Sequence, residues 1–258
     1  LLAWDSRTGT LAIFGFVLVA VCLAPWRRPQ VLRSGSLRLQ GARALFLALA
    51  TLCSFLALHY LRLTQATSIA FASPLVVALL AGPMLGERIT LFRLAAVVVG
   101  FSGVLIVIRP GSAVFQWASL LLLCSAICYA VYQILIRRLA GTDHPATSIF
   151  YSVLLGAIIM SIWLPFVWKM PLSWSDWALL CSLGIFGALG HYCVAKAMTY
   201  ASANFVVPFN YTQMIGSVIV GYLMFAEVPD FYTWLGTAVI VAAGLLVGLH
   251  GGSRNRVP

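Results

Sequence analysis

Residues 65–88 read QATSIAFASPLVVALLAGPMLGER, and residues 202–228 read SANFVVPFNYTQMIGSVIVGYLMFAEV. Both open on small residues and pass into an apolar run that carries a proline. Both end on a small residue followed by glutamate, Gly86-Glu87 and Ala226-Glu227. A further apolar run with a late glycine follows each one, with Gly103 in the first and Gly244 in the second. The two glutamates stand 140 residues apart (227 − 87). About 20 apolar residues cross a hydrocarbon core as an α-helix, so the echo reads as a repeated pair of membrane helices.

Extended along the chain, the same reading gives nine spans: Thr10–Trp26, Ala44–Leu61, Thr67–Leu85, Leu94–Ile108, Trp117–Ile136, Ala146–Trp168, Trp177–Ala195, Ala203–Phe225 and Phe231–Leu249. None shows the two-residue alternation of a membrane barrel strand. Only the connector 27–43 exceeds a dozen residues, so no soluble domain is inserted. The fold class is all-α integral membrane, a polytopic helical bundle. Composition agrees. Of 258 residues, 62% are hydrophobic and 9% charged, and mean hydropathy is +1.01. A soluble domain is about 25% charged. A soluble enzyme, a disordered chain and a nucleic-acid-binding protein are excluded.

The net charge of +10 follows from the positive-inside rule. With the loops assigned to alternate sides, one side collects twelve Lys and Arg and the other four. The richer side holds the C-terminus, which is expected in the cytoplasm. All six cysteines lie in spans and read as small apolar packing residues.

Four spans precede the second repeat, which begins near Val114, and five lie within it. The 140-residue offset places the start of the first repeat about one helix before Leu1. Ten helices in two five-helix units are therefore expected, with the present sequence carrying 1–112 of the first repeat, without its first helix, and 113–258 of the second. An odd number of helices per unit makes the repeats inverted in topology. That is an architecture of secondary transporters, whose sites lie near the midplane between the halves.

At this level the chain resembles the EamA-like bacterial permeases of the drug/metabolite transporter superfamily. The stretches that carry the resemblance are ATSIAFASPLVVALLAGPMLGE (Ala66–Glu87), GFSGVLIVIRPG (Gly100–Gly111), SAICYAVYQILIRRLA (Ser125–Ala140) and PFNYTQMIGSVIVGYLMFAEVPD (Pro208–Asp230). Their order and spacing carry it more than any one of them. The resemblance implies two inverted EamA repeats around a central cavity, and movement of small metabolites such as amino acids across the bacterial cytoplasmic membrane. In this family the second helix commonly carries an arginine about ten residues before a proline; Gly15 stands at that place here.

No Asp or Glu falls in the middle of a span. An intramembrane carboxylate is the usual proton relay of a pump, so histidine-linked coupling, exchange or uniport is expected instead. His59, near the end of the second span, and His191, within the seventh, are the titratable candidates. Tyr129, Tyr132 and Gln133 share one face of the fifth span at i, i+3 and i+4. Asn210, Tyr211, Thr212 and Gln213 form the most polar cluster in any span and follow Pro208, which cannot donate to the carbonyl of Asn204. In the first repeat Ser73 precedes Pro74, which leaves the carbonyl of Ala70 without its usual donor. Tyr151 and Trp163 offer aromatic walls from the sixth span. The same residues can equally serve as interhelical hydrogen bonds or packing kinks.

Phosphate-loop, metal-ligand and catalytic-triad patterns are absent, so no enzyme, cofactor or metal is expected. The expected function is a permease moving an amino acid or related zwitterion by alternating access. The candidate substrate-binding residues are Tyr129, Tyr132, Gln133, Asn210, Tyr211, Gln213, His191, His59, Ser73 and Tyr151. The alternatives are another metabolite class (nucleotide derivative, vitamin or organic acid), or a membrane enzyme acting on a lipid-linked substrate. The expected partners are a small-molecule substrate and membrane lipid, with protons as the candidate coupling ion, no nucleic acid, and a monomer or homodimer.

Overall fold

The computed structural model describes residues 34–86, 90–111, 116–140, 142–143, 147, 150–152, 154–156, 158, 173–201, 206, 209–210, 213–226 and 228–252. Its helices are α1 (Leu37–Leu58), α2 (Leu63–Ala70), α3 (Ala72–Leu85), α4 (Leu91–Ile108), α5 (Ala118–Leu139), α6 (Trp174–Tyr200), α7 (Gln213–Phe225) and α8 (Phe231–Gly252). Residues 150–152 and 154–156 are helical as well, and no strand occurs among the described residues. Among the described residues, four stretches are long and apolar enough to cross a membrane: Leu37–Leu58, Leu63–Leu85, Leu91–Ile108 and Ala118–Leu139. The first expected span, Thr10–Trp26, lies outside the described residues.

The helices lie where the apolar runs put them, but two differences matter. Helix α1 begins at Leu37, seven residues ahead of the expected Ala44 (44 − 37). The segment before the apolar run is thus helix, and it carries Gln40 and Arg43 into buried positions. Second, neither proline-bearing span is one regular helix. The first breaks at Phe71 between α2 and α3. Pro74 then falls in the first turn of α3, where its missing N–H would have had no intrahelical partner anyway. In the second, Phe209 and Asn210 form a 3₁₀ turn and α7 starts only at Gln213.

The described contacts group into two compact units. One takes its described residues from Leu1–Leu49 and Leu135–Tyr200, the other from Ala50–Ile134 and Ala201–Pro258. The units are groupings by contact, whereas the division into repeats concerns internal similarity, so one does not decide the other.

In the second unit Ile69, Phe71, Leu75, Val104, Val107, Leu122, Ile240 and Ala243 form a buried core. Helix α4 shows how it is built. Arg93, Ala96, Val97, Gly100, Gly103, Val104 and Val107 are buried, while Leu91, Leu94, Val98 and Leu105 are exposed. That spacing is one helical stripe facing inward and an apolar stripe facing outward, as expected of a helix whose outer face meets lipid. Thr90 caps its start by accepting from Arg93 N at 3.2 Å. At its end Arg109 takes a left-handed conformation, φ +53°. Its side chain pairs with Asp230 and lies 4.4 Å from the centre of the Tyr232 ring.

Helices α4 and α8 meet through glycines. A Cβ on Gly103 would lie 2.7 Å from the carbonyl oxygen of Gly236, and one on Gly236 would lie 2.6 Å from that of Gly103. Only glycines let two backbones approach this closely. Gly86, four residues after Gly82, makes no such approach: a Cβ there would meet nothing within 4 Å. It ends α3 in the left-handed region, φ +72°, with its N–H donating to Gly82 O at 2.9 Å.

Candidate functional site

Helix α5 is the polar spine of the second unit. Ser125 donates to Ala50 O at 2.8 Å and exchanges a 2.7 Å hydrogen bond with Ser54, both on α1. One turn further, Tyr129 and Tyr132 stack with ring centroids 5.4 Å apart and planes tilted by 30°. Gln133 follows on the same face. It is fully buried, and its Nε2 donates to Ser73 Oγ of α3 at 3.3 Å. Gln133 Oε1 has no hydrogen-bond partner among the described residues. Nearby, Thr237 of α8 donates to Ser68 of α2 at 2.8 Å.

Four of the sequence candidates therefore come together: Tyr129, Tyr132, Gln133 and Ser73. They are brought together by the break at Phe71. It starts a new helix at Ala72 and places Ser73 in that helix's first turn, opposite α5. The other candidates lie elsewhere. His59 sits in the turn after α1 and is exposed, edge-on to Tyr60. Tyr60 in turn packs on Trp117 at 5.0 Å. Asn210 is half-buried in the 3₁₀ turn, and Gln213 is exposed at the start of α7. His191, in α6, and Tyr151, whose ring meets Phe150, belong to the first unit, and both are half-buried. Tyr211 and Trp163 lie outside the described residues. No group of three or more His, Cys, Asp or Glu suited to a metal occurs among the described residues.

Sequence reading missed the polar cluster of the first unit. Asp143, just beyond α5, is buried and accepts from Ser34 Oγ at 2.5 Å, Gly35 N at 2.7 Å and Gln40 Nε2 at 2.6 Å. Burial works to raise its pKa, but these three donors and the nearby Arg43 charge outweigh burial and hold it below the ordinary carboxylate value. Arg43 is fully buried and donates to Ser152 Oγ, and its charge also reaches His191. Arg137, in the last turn of α5, donates to Met198 O at 2.7 Å. Arg43 was expected in a loop because it precedes the apolar run. The readable signal was Asp143, a lone acid just past the Arg137–Arg138 pair that ends α5.

Comparison with known proteins settles the family. The EamA-like transporter family matches residues 4–109 and again residues 116–249. The chain belongs to the EamA-like transporter family. It is 33% identical over 239 residues to a riboflavin transporter of Vibrio cholerae, covering 90% of this chain and 80% of that one. It is 30% identical over 184 residues to an S-adenosylmethionine uptake transporter of Rickettsia prowazekii (71% and 62%). It is also 30% identical over 245 residues to a pseudopaline exporter of Pseudomonas aeruginosa (92% and 81%). A solved crystal structure at 20% identity covers 98% of the chain with a TM-score of 0.67, and it bears out the fold. As a member of this family the protein is an integral membrane permease of small metabolites, within the drug/metabolite transporter superfamily.

Proposed function

We propose that this permease moves a small planar metabolite of the vitamin or nucleotide-derivative class, a flavin being the first candidate. The observation that carries the reading is the stacked Tyr129–Tyr132 pair with a buried carboxamide, Gln133, on the same face of α5. Aromatic side chains offer a flat face to a flat ring, and the amide beside them supplies orientation. Relatives named for riboflavin and S-adenosylmethionine, each of which contains a fused heteroaromatic ring, support this choice. The amino acid expected from residue types alone would use the amide and hydroxyl groups but leave the tyrosine pair without a role.

Transport would proceed by alternating access, with the repeats 1–112 and 113–258 rocking as inverted halves in the bacterial cytoplasmic membrane and the C-terminus inside. Tyr129, Tyr132, Gln133 and Ser73 would contact substrate. The test is uptake by proteoliposomes containing the chain, with labelled riboflavin, S-adenosylmethionine and pooled amino acids supplied separately, with and without a pH gradient. Flux of a planar solute above empty vesicles is expected. Amino-acid flux with no planar solute moved would overturn the reading. Collapse of flux when the gradient is removed would identify protons as the coupling ion.

A further inference from the structure

The amide of Gln133 and the hydroxyl of Ser73 are only half used. Gln133 Nε2 donates to Ser73 Oγ at 3.3 Å, a long bond, while Gln133 Oε1 has no partner among the described residues. The hydrogen bond that Ser73 accepts from Gln133 is the only one its side chain makes among the described residues, so its own O–H proton is unassigned. Both side chains are buried, Gln133 at 0% and Ser73 at 3% exposure. A buried acceptor without a donor destabilises a fold, and in native structures such a group calls for a specific explanation. Neither residue has an ionised hydrogen-bond partner among the described residues.

We infer that Gln133 Oε1 and the Ser73 hydroxyl form a neutral acceptor–donor edge that reads a lactam or imide edge of the substrate ring. An N–H of the ring would donate to Gln133 Oε1, and the adjacent ring carbonyl would accept from Ser73. This inference rests on the planar-metabolite reading and adds a demand to it: the ring must present an N–H beside a C=O. The edge would act as the specificity filter, and the Tyr129–Tyr132 pair would supply stacking that any flat ring can use. A site built to bond a polar group discriminates strongly against a ligand lacking it, because its own buried groups are then left unpaired.

The test uses the full chain in proteoliposomes with riboflavin and N3-methylriboflavin as probes, and with S-adenosylmethionine and pooled amino acids supplied separately. N3-methylriboflavin carries a methyl group in place of the imide proton and is otherwise unchanged. The wild type should show a KM at least about tenfold higher for the methylated probe. Gln133→Leu and Ser73→Ala should each raise KM for riboflavin, by about ten- to a hundredfold for Gln133→Leu. Gln133→Leu should raise the KM for the methylated probe far less than that for riboflavin, so that selectivity falls toward one. The wild-type comparison needs no variant to fold, and size-exclusion profiles verify the variants. Equal KM values for both probes in the wild type would overturn the inference, as would selectivity that survives Gln133→Leu. Flux of S-adenosylmethionine with no flux of either flavin would keep the planar-ring reading and overturn the lactam edge. Amino-acid flux alone would overturn both.

Discussion

Replacing Gly103 by alanine should loosen the crossing of α4 and α8 and lower thermal stability measurably. The new Cβ would stand 2.7 Å from Gly236 O, 2.9 Å from Ile240 Cγ1 and 3.0 Å from Val239 Cβ. A carbon meets a carbonyl oxygen comfortably at about 3.3 Å, so the helices must separate by about 0.6 Å. The obstacle is backbone, so no rotamer change relieves it. Over-packing of this kind costs about 1–3 kcal/mol. Exchanging glycine for alanine inside a helix returns up to about 1 kcal/mol. The net loss is about 1–2 kcal/mol, and at about 2–4 °C per kcal/mol for a chain of this size the midpoint should fall by roughly 2–8 °C. Gly236→Ala should act alike, since its Cβ would meet Gly103 O and Val107 Cγ2, each at 2.6 Å. The double variant should lose less than the sum, because both methyls open one contact. The assay is size-exclusion chromatography of detergent-solubilised protein after a temperature ramp. Gly41→Ala, also helical but with nothing within 4 Å, is the control and should be neutral or slightly stabilising. Gly103→Ala as stable as the Gly41→Ala control would refute the close crossing.

Three further outcomes follow from the polar contacts. Asp143→Asn removes one of the two oxygens that receive Ser34, Gly35 and Gln40 and turns an amide toward donors. It should cost about 1–3 kcal/mol, read as a lower melting midpoint at neutral pH. Because the folded pKa of Asp143 is depressed, its contribution is complete above the unfolded carboxylate pKa and disappears as pH falls through the folded one. The variant should therefore show a flatter acid limb in a stability–pH titration. Ser125→Ala severs the link from α5 to Ser54 and Ala50 O; hydrogen bonds between membrane helices average about 0.6 kcal/mol, so a midpoint shift of only a few degrees is expected. His59→Ala should leave flux and its pH profile unchanged, since His59 is exposed in a turn; an altered pH profile in proteoliposome uptake would return it to the mechanism.

The helices were legible because a membrane imposes one dominant rule: every backbone polar group in hydrocarbon must be bonded within its segment. An apolar run of sufficient length then has essentially one solution. The ends of the helices follow weaker rules. Helix α1 begins seven residues early because Gln40 and Arg43 carry the buried stripe of Ala44 and Leu47 back toward its start at i, i+3, i+4 and i+7, and a window that averages hydropathy cannot see a buried face made of polar residues. The breaks in the proline-bearing spans were legible as disturbance but not as location. Proline fixes which bond is lost, Ala70 to Pro74 in the first case, while the helix chooses to break one residue later, at Phe71.

The site divides along the same line. Tyr129, Tyr132 and Gln133 could be grouped from one helix by spacing alone, and they do lie together. The partner, Ser73, came from a different argument, the proline beside it, and the structure joins the two through one hydrogen bond. Arg43 escaped because charge was treated as a marker of loops. In a chain with 9% charged residues, each charge inside a helix needs a stated counterpart, since an unpaired ion away from water is costly. Arg43 has its counterparts in Asp143 and Ser152, which lie about a hundred residues away in sequence. Pairing over that distance leaves no local pattern. What remains readable is the opposite member, a lone acid just past an arginine pair. Each rare acid raises the question of which cation it neutralises, and only the fold answers it: Arg43 for Asp143, and Arg109, across 121 positions, for Asp230.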